Sequence, residues 1–295
     1  MTRGERAYVL ATDSCCDLPH ELAKQLDLIV LEFPFTLDGE EHYDDLGVTM
    51  PASRFYAAMR AGSVPTTAQV PLAAYVSAFG RAAEAGTPML FLSFSSALSG
   101  TYEAALVARD AVLREHPGAD VRVVDTLAAS ALQGLLVLEA ARQRDAGSSV
   151  DELEAWVLER RCCLNGYFTI DTLEPLRRGG RVSDFAAAAG TMLDLKPILR
   201  VNCEGELVID RPIRGRKKSL RAIAETFAAR AADPLAETVV IAHGDAAEDA
   251  AALEALLRER CQLGEVLTLD VGPVIGSHTG PGMVAAVFWG PDRDW

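Results

Sequence analysis

Short apolar runs alternate with longer amphipathic segments through the first half of the chain. The runs at 7–12, 89–92 and 121–124 have the length of buried β-strands. The segments at 127–146 and 150–162 instead place apolar residues at helical spacing. Strands that alternate with helices predict βαβ units, and therefore an α/β architecture with a mainly parallel sheet.

A further strand is predicted at 28–35, and a polar, acidic segment follows it. Glu32 and Pro34 indicate that the far end of this strand is exposed or unpaired. The segment at 36–48 has no apolar period, so we expect a solvated loop there.

The pattern changes near Asn165, and the following elements mix short strands with helices. Two short strands are predicted at 196–201 and 207–209, with a Glu-Gly hairpin turn between them. A glycine-rich loop and a final apolar strand close the chain. We therefore expect two domains, an N-terminal α/β domain at 1–164 and a C-terminal α+β domain at 165–295.

The composition is that of an ordinary globular protein. Of the 295 residues, 49% are hydrophobic and 24% are charged, and the formal net charge is −14. An acidic chain of this kind has no general affinity for nucleic acids or for anionic membrane surfaces. No apolar run reaches the roughly 18 residues that a membrane helix needs, and the N-terminus lacks the pattern of a signal peptide. We expect a cytoplasmic protein without stable membrane insertion.

The spacing of ligand residues predicts neither a metal nor a cofactor. The six cysteines include two adjacent pairs but no C-x-x-C, so neither a zinc site nor a disulfide framework is indicated. Asp44 and Asp45 are adjacent, so their side chains diverge, and no H-E-x-x-H or calcium-binding loop is present. The chain also lacks a P-loop and a G-x-G-x-x-G fingerprint.

A hydroxyl-rich turn, SFSSALSGTY at 93–102, joins a predicted strand to a predicted helix. At the carboxyl end of a strand, its hydroxyls and backbone N–H groups can face an anion together with the positive end of the helix dipole. The simpler interpretation is that Ser99 caps the helix and the other serines are solvated. The local pattern supports the two interpretations about equally.

His278 lies among glycines, in a loop where an imidazole can approach a ligand closely. The remaining histidines have no comparable setting and are expected to be structural or on the surface. A hydrolase that uses Ser95 or Ser99 with His278 is an alternative. The chain contains no G-x-S-x-G nucleophile elbow, which counts against that hypothesis.

One basic cluster contrasts with the acidic character of the chain. It is either the solvated start of a helix or a contact for phosphate or an acidic partner surface. Its members are Arg211, Arg214, Arg216, Lys217, Lys218 and Arg221.

Six ordered motifs together resemble the DegV family, the fatty-acid-binding proteins that serve as the carrier subunit of bacterial fatty acid kinase. They extend through most of the chain and are ATDSCCDLP, PTTAQVP, SFSSALSGTY, FTIDTLEPLRRGGRVS, IRGRKKS and PVIGSHTGPG. The resemblance implies a two-domain protein that encloses a long-chain fatty acid between or within its domains. It also implies a separate ATP-dependent kinase that phosphorylates the fatty acid. A lipid-binding regulator without a kinase partner is a further alternative.

The resemblance assigns roles to individual residues. The groups that hold the fatty-acid carboxylate match Thr67, Ser95 and His278, with Ser96 in place of Ser95 if the register shifts by one residue. Contacts with the kinase or the acyl phosphate match Arg178, Arg181, Arg214 and Arg216. Candidate wall residues for the acyl chain, with plain core as their alternative role, are Phe185, Met192 and Leu193.

Overall fold

The structure is a computed structural model that describes residues 6–181 and 195–294. Its strands are β1 (Val9–Asp13), β2 (Ile29–Leu31), β3 (Pro34–Leu37), β4 (Glu40–Tyr43), β5 (Thr66–Thr67), β6 (Met89–Ser93), β7 (Val121–Asp125), β8 (Leu164–Thr169), β9 (Ile198–Val201), β10 (Leu207–Arg211), β11 (Val239–His243), β12 (Val266–Asp270) and β13 (Val284–Trp289). Its helices are α1 (His20–Gln25), α2 (Ala52–Arg60), α3 (Leu72–Glu84), α4 (Thr101–Glu115), α5 (Ala131–Asp145), α6 (Val150–Arg160), α7 (Glu174–Gly179), α8 (Arg216–Arg230), α9 (Ala247–Arg258) and α10 (Pro273–Thr279). None of the helices in these two ranges is both long and apolar enough to cross a membrane.

The first sheet contains four parallel strands in the order β2-β1-β6-β7. Strand β6 is buried at every position, as expected for a parallel sheet that is covered on both faces. Helices α3 and α4 pack against each other and against this sheet. The predicted α/β architecture of the N-terminal part is confirmed.

The second sheet contains six strands in the order β10-β9-β8-β13-β11-β12, and it begins at Leu164. Its pairings are antiparallel except for the one between β11 and β12. Helices α8 and α9 cover one face over a buried cluster that includes Phe227, Leu253 and Phe288. The predicted hairpin is confirmed as β9–β10. The C-terminal part therefore has the predicted α+β character.

The other face of the second sheet packs on the first half of the chain. Helix α5 contacts β8, β11 and β13. One buried hydrophobic cluster contains side chains from both sheets, such as Phe91 of β6 and Trp289 of β13. The two sheets therefore share a core instead of forming two separately packed units.

The prediction of one strand at 28–35 and a solvated loop at 36–48 is wrong. Strand β2 ends at Leu31 in the parallel sheet, whereas β3, β4 and β5 form a separate antiparallel sheet in the order β4-β3-β5. Asp38 and Gly39, with φ values of 53° and 86°, form the two-residue turn between β3 and β4. Positive φ at both turn positions is required in a type I′ hairpin, for which Asp-Gly is a strong sequence signal.

Gly134 lies in α5, where this helix contacts the 3-10 turn that follows β1. A Cβ atom at this position would lie 2.3 Å from the carbonyl oxygen of Cys16. Since Gly134→Ala must displace backbone, we expect it to lower the free energy of unfolding by about 1–3 kcal/mol. Urea denaturation followed by circular dichroism measures this change.

Gly80→Ala is the matched control, because Gly80 is also inside a helix but has open space around the added atom. Alanine has the higher helix propensity, so this variant should gain up to about 1 kcal/mol of stability. Equal effects of the two substitutions would contradict the close approach of α5 to the turn.

Candidate functional site

A cavity of about 210 Å³ lies between the two halves of the chain. Most of its wall is apolar and combines side chains from the N-terminal half with others from the second sheet, among them Phe33, Phe94, Phe168, Val201, Leu207 and Val287. The polar side chains in its wall are Thr67, Gln69, Ser99, Ser130, Arg181, His278 and Thr279. An apolar cleft with a few polar groups is the usual form of a small-molecule site.

Several of the polar groups meet at one end of the cavity. Thr67 Oγ1 lies 2.9 Å from His278 Nε2. Gln69 follows Thr67 by two residues, and its side chain lies close to Gly100. A Cβ atom added at Gly100 would lie 2.9 Å from Gln69 Oε1. Arg181 Nε donates to the carbonyl oxygen of Leu98, at 3.3 Å. The cavity therefore has a polar end, with a hydroxyl, an imidazole and a guanidinium group, and an apolar body.

Thr67 is placed by the small antiparallel sheet that was not predicted from the sequence. Strand β5 pairs with β3, with Thr67 opposite Phe35. Phe35 packs edge-on against Phe55 of α2, and both are fully buried. Because side chains alternate along a strand, Thr66 is exposed while Thr67 turns towards the interior.

His278 lies near the end of helix α10, not in the glycine-rich loop that the sequence predicted, so that prediction is wrong. Helix α10 packs closely on α2 through Gly276. A Cβ atom at Gly276 would lie 2.6 Å from Tyr56 Oη, so glycine is required by the close approach and not by a turn. The imidazole is therefore presented from a fixed helix.

The start of α10 is held by the buried carboxylate of Asp17. This carboxylate accepts hydrogen bonds from the backbone N–H of Gly272, at 2.8 Å, and from the hydroxyl of Ser130, at 2.5 Å. Burial raises the pKa of Asp17 to about 7. One side chain thus connects the turn after β1, the start of α5 and the helix that carries His278.

The imidazole of His278 is enclosed on both sides. Its Nε2 faces Thr67, and its Nδ1 faces Gly179, where a Cβ atom would lie only 2.2 Å away. Burial, followed by the positive charges of Arg181 and Arg178, lowers the pKa of His278 to about 4. The ring is therefore neutral at pH 7, with one nitrogen as a donor and the other as an acceptor.

The structure does not bring Ser95 and Ser96 into the cavity wall beside Thr67 and His278. Ser95 is buried, and its hydroxyl donates to the carbonyl oxygen of Gly205, at 2.9 Å. Ser96 is half-buried, and its backbone N–H donates to Asp125 at 3.3 Å. Their role as carboxylate ligands stays a prediction.

Ser99 is the hydroxyl of this turn that lines the cavity. Its Oγ lies 2.8 Å from Thr101 Oγ1. The N-cap of α4 is Gly100, without a side-chain hydrogen bond, so the interpretation of Ser99 as a helix cap is wrong. Helix α4 begins directly after these residues, and its dipole adds positive potential at the polar end.

Of the four predicted arginines, Arg181 is the one that lines the cavity. Arg178 is exposed on α7, and Arg214 is exposed where its backbone bridges to Leu195. The guanidinium of Arg216 is already paired with groups of the C-terminal half. Its Nε donates to Asp249 at 2.7 Å, and its Nη2 donates to the Gly282 carbonyl oxygen. The basic cluster is therefore partly structural.

The structure does not test the residues that were predicted for the acyl-chain wall. Phe185, Met192 and Leu193 lie outside the described residues. The described part of the wall contains side chains that the sequence did not single out, such as Phe94 and Phe168. Gln69 was also missed, although its place two residues after Thr67 in PTTAQVP was an available signal.

The geometry does not support the hydrolase alternative. In the part of the chain that the structure describes, His278 Nε2 contacts a threonine, and Nδ1 has no hydrogen-bond partner. The hydroxyls of Ser95 and Ser99 bond to Gly205 and Thr101 instead. A nucleophile, a base and an orienting acid are therefore not in contact here, as that chemistry requires.

We expect the imidazole of His278 to titrate near pH 4 in NMR spectra, not near the usual 6.5. Because its pKa is lower in the folded chain, the unfolded chain binds more protons between these two values. Its contribution to stability is therefore fully present above pH 6.5 and falls as the pH falls towards 4, by at most about 3 kcal/mol.

His278→Asn provides the comparison for this prediction. Its unfolding free energy should lack this component and should keep the pH dependence of buried carboxylates such as Asp13 and Asp17, whose pKa values burial raises to about 7. A titration midpoint of His278 at the ordinary value would show that the ring is solvated.

The sequence matches one protein family over nearly its whole length. A family model described as "Uncharacterised protein, DegV family" matches residues 8–290. A DegV domain-containing protein of Clostridium perfringens is 42% identical over 289 residues, which cover 98% of this chain and 99% of the relative. One from Streptococcus pyogenes is 36% identical over 284 residues, which cover 96% and 98%.

Solved structures share the fold. A DegV family protein from Thermus thermophilus, described for its fatty acid binding, has a TM-score of 0.85 at 32% identity and matches over 97% of this chain and 99% of its own. A fatty acid binding DegV family protein from Streptococcus agalactiae has a TM-score of 0.83 at 26% identity, with coverage of 97% and 99%. This chain therefore belongs to the DegV family.

Proposed function

We propose that this protein is a cytoplasmic carrier that binds a long-chain fatty acid and presents its carboxylate to a separate ATP-dependent fatty acid kinase. The observation that carries the proposal is the polar end of the cavity, where Thr67, His278 and Arg181 adjoin an otherwise apolar wall. A molecule with one anionic head and a long apolar tail matches this distribution of groups. The solved relatives from Thermus thermophilus and Streptococcus agalactiae, described as binding fatty acids, support the same ligand class.

The tail supplies most of the affinity in this proposal. Each CH₂ group that leaves water contributes about 0.8 kcal/mol, and the wall offers aromatic and aliphatic side chains such as Phe33, Phe168 and Leu207. The polar end contributes less affinity but fixes which end of the ligand faces outwards. Burying a carboxylate away from hydrogen-bond donors costs free energy, so the ligand binds with its carboxylate at the polar end and its tail in the apolar body.

The head group is held by groups that satisfy each other in the free protein. The Thr67 hydroxyl and His278 Nε2 lie 2.9 Å apart, and a carboxylate can accept a hydrogen bond from each of them. The guanidinium of Arg181 balances the negative charge. The turn at 95–99 provides the third contact, with Ser99 on the wall and Ser95 and Ser96 as the ligands that the family resemblance implies.

The kinase reaction requires that the carboxylate be reached from outside. Arg181 is exposed although it lines the cavity, so the polar end opens towards solvent. The exposed side chain of Arg178 lies three residues before it. Both arginines can face the phosphate that is added, whereas Arg216 is occupied by Asp249. The lack of a P-loop in this chain is the reason for assigning ATP to the partner.

We expect the purified protein to contain a fatty acid, visible as extra mass in native mass spectrometry that organic extraction removes. Thr67→Val keeps the shape of the side chain but removes the hydroxyl. A hydrogen bond to a charged group contributes about 1.5–3 kcal/mol, so we expect roughly tenfold to a hundredfold weaker binding of a fluorescent fatty acid.

Thr66→Val is the matched control, since the same change on the exposed face of β5 should leave affinity unaltered. An unchanged mass after extraction would count against a bound lipid. Equal affinity of the two valine variants would remove Thr67 from the carboxylate site.

The proposed transfer of the carboxylate to a separate kinase gives another prediction. Arg178→Ala and Arg214→Ala should retain fatty acid binding but lower the yield of acyl phosphate when fatty acid kinase and ATP are added. Contacts of exposed charges contribute up to about 1 kcal/mol, so we expect a decrease of roughly twofold to fivefold. Trapping the product with hydroxylamine measures the yield.

Arg114→Ala is the control, because Arg114 is exposed in the last turn of α4, about 20 Å along that helix from the cavity. It should have no effect on the yield. Saturable ATP binding by the isolated protein in equilibrium dialysis would overturn the assignment of ATP to the partner.

A further inference from the structure

Two cysteines and an aspartate that are far apart in sequence meet at one point of the fold. Cys162 lies in the 3-10 turn before β8, Cys203 in the turn of the β9–β10 hairpin, and Asp292 just after β13. Their ligand atoms all lie within 4.8 Å of one another. Cys203 Sγ lies 2.9 Å from Asp292 Oδ1. The three residues converge from three different segments of the chain.

The backbone around this group is held in place by several hydrogen bonds. The Cys203 N–H donates to Asp294 Oδ2 at 2.9 Å, which joins the hairpin turn to the C-terminal segment. Arg293 is buried, and its guanidinium donates to the carbonyl oxygens of Leu127 and Arg161, at 2.9 and 3.0 Å. The convergence of the three side chains is therefore built into the packing and is not a chance approach of surface groups.

The chemistry of these side chains favours a thiophilic metal. Two thiolates and one carboxylate form a donor set that Zn²⁺ accepts in tetrahedral geometry, with water in the remaining position. Mg²⁺ and Ca²⁺ prefer oxygen ligands only, so they are poor candidates. The guanidinium of Arg293 lies beside the group, with its Nη2 4.0 Å from Cys162 Sγ.

We propose that Cys162, Cys203 and Asp292 bind Zn²⁺. Binding replaces the two thiol protons, which are released to solvent, and no oxidation takes place. Cys162 and Cys203 are half-buried and Asp292 is exposed, so an ion can enter from solvent.

The position of this site connects it to the cavity. The hairpin turn that contains Cys203 is flanked by Val201 and Leu207, and both of these residues line the cavity. Gly205 in the same turn accepts the hydrogen bond of Ser95. A metal ion at the turn would therefore fix the part of the wall that the hairpin provides.

The test is titration of the full-length, reduced and metal-free protein with Co²⁺, whose bonds to thiolate sulfur give a charge-transfer absorption band. We expect one equivalent of Co²⁺ to saturate the band and Zn²⁺ to displace it. Cys203→Ser should abolish the band. Asp292→Asn, a conservative change at an exposed residue, should weaken affinity at least about tenfold.

Cys261→Ser is the matched control, because Cys261 is a half-buried free cysteine outside the group. It should bind Co²⁺ as the wild type does. Zn²⁺ should also raise the melting temperature of the wild type and of Cys261→Ser, but not that of Cys203→Ser. The wild type alone can overturn the proposal: a reduced protein without the band would do so. A disulfide between Cys162 and Cys203 that persists in the presence of reductant would also contradict the proposed Zn²⁺ site.

Discussion

The hydrogen bonds of the Asp17 carboxylate are the constraint on which the cavity depends. This side chain lies in the turn after the first strand, yet it bonds to Ser130 at the start of α5 and to Gly272 at the start of α10. Asp13 makes a parallel connection, because it accepts from the backbone of Phe94 and from the side chain of Gln133. Buried carboxylates need such donors. The ATDSCCD motif is therefore the point from which the elements around the cavity are positioned.

A neutral imidazole follows from this arrangement. The helix that carries His278 is held at its start by Asp17, packed on α2 through Gly276, and closed at its end by Gly179. These contacts exclude water from the ring and lower its pKa. In a neutral ring either nitrogen can carry the proton, so Nε2, beside the hydroxyl of Thr67, is able to donate a hydrogen bond to an anion. A carboxylate bound there would in turn favour protonation of the ring.

The sequence predicted elements whose signal is local, and it failed where distant segments meet. The parallel sheet followed from apolar runs, and the β9–β10 hairpin from its Glu-Gly turn. The pairing of β5 with β3 has no local signal, because Thr67 and Phe35 are joined only by the fold. His278 was predicted in a loop, since glycines that serve close packing look like turn glycines in sequence. The cluster of Cys162, Cys203 and Asp292 was not predicted either, because its members come from three distant segments and no spacing motif covers them.

The shared core of the two sheets has a consequence for access to the cavity. Side chains of β6 and β13 belong to one buried cluster, so separating the halves would expose that cluster to water. Each 100 Å² of apolar surface that becomes exposed costs about 2.5 kcal/mol, whereas a typical domain is stable by only about 5–15 kcal/mol. Separating the two halves as a hinge therefore carries a large free-energy cost. Among the described residues of the cavity wall, Arg181 and Gly100 are exposed, so solvent reaches the wall at these positions without any separation of the sheets.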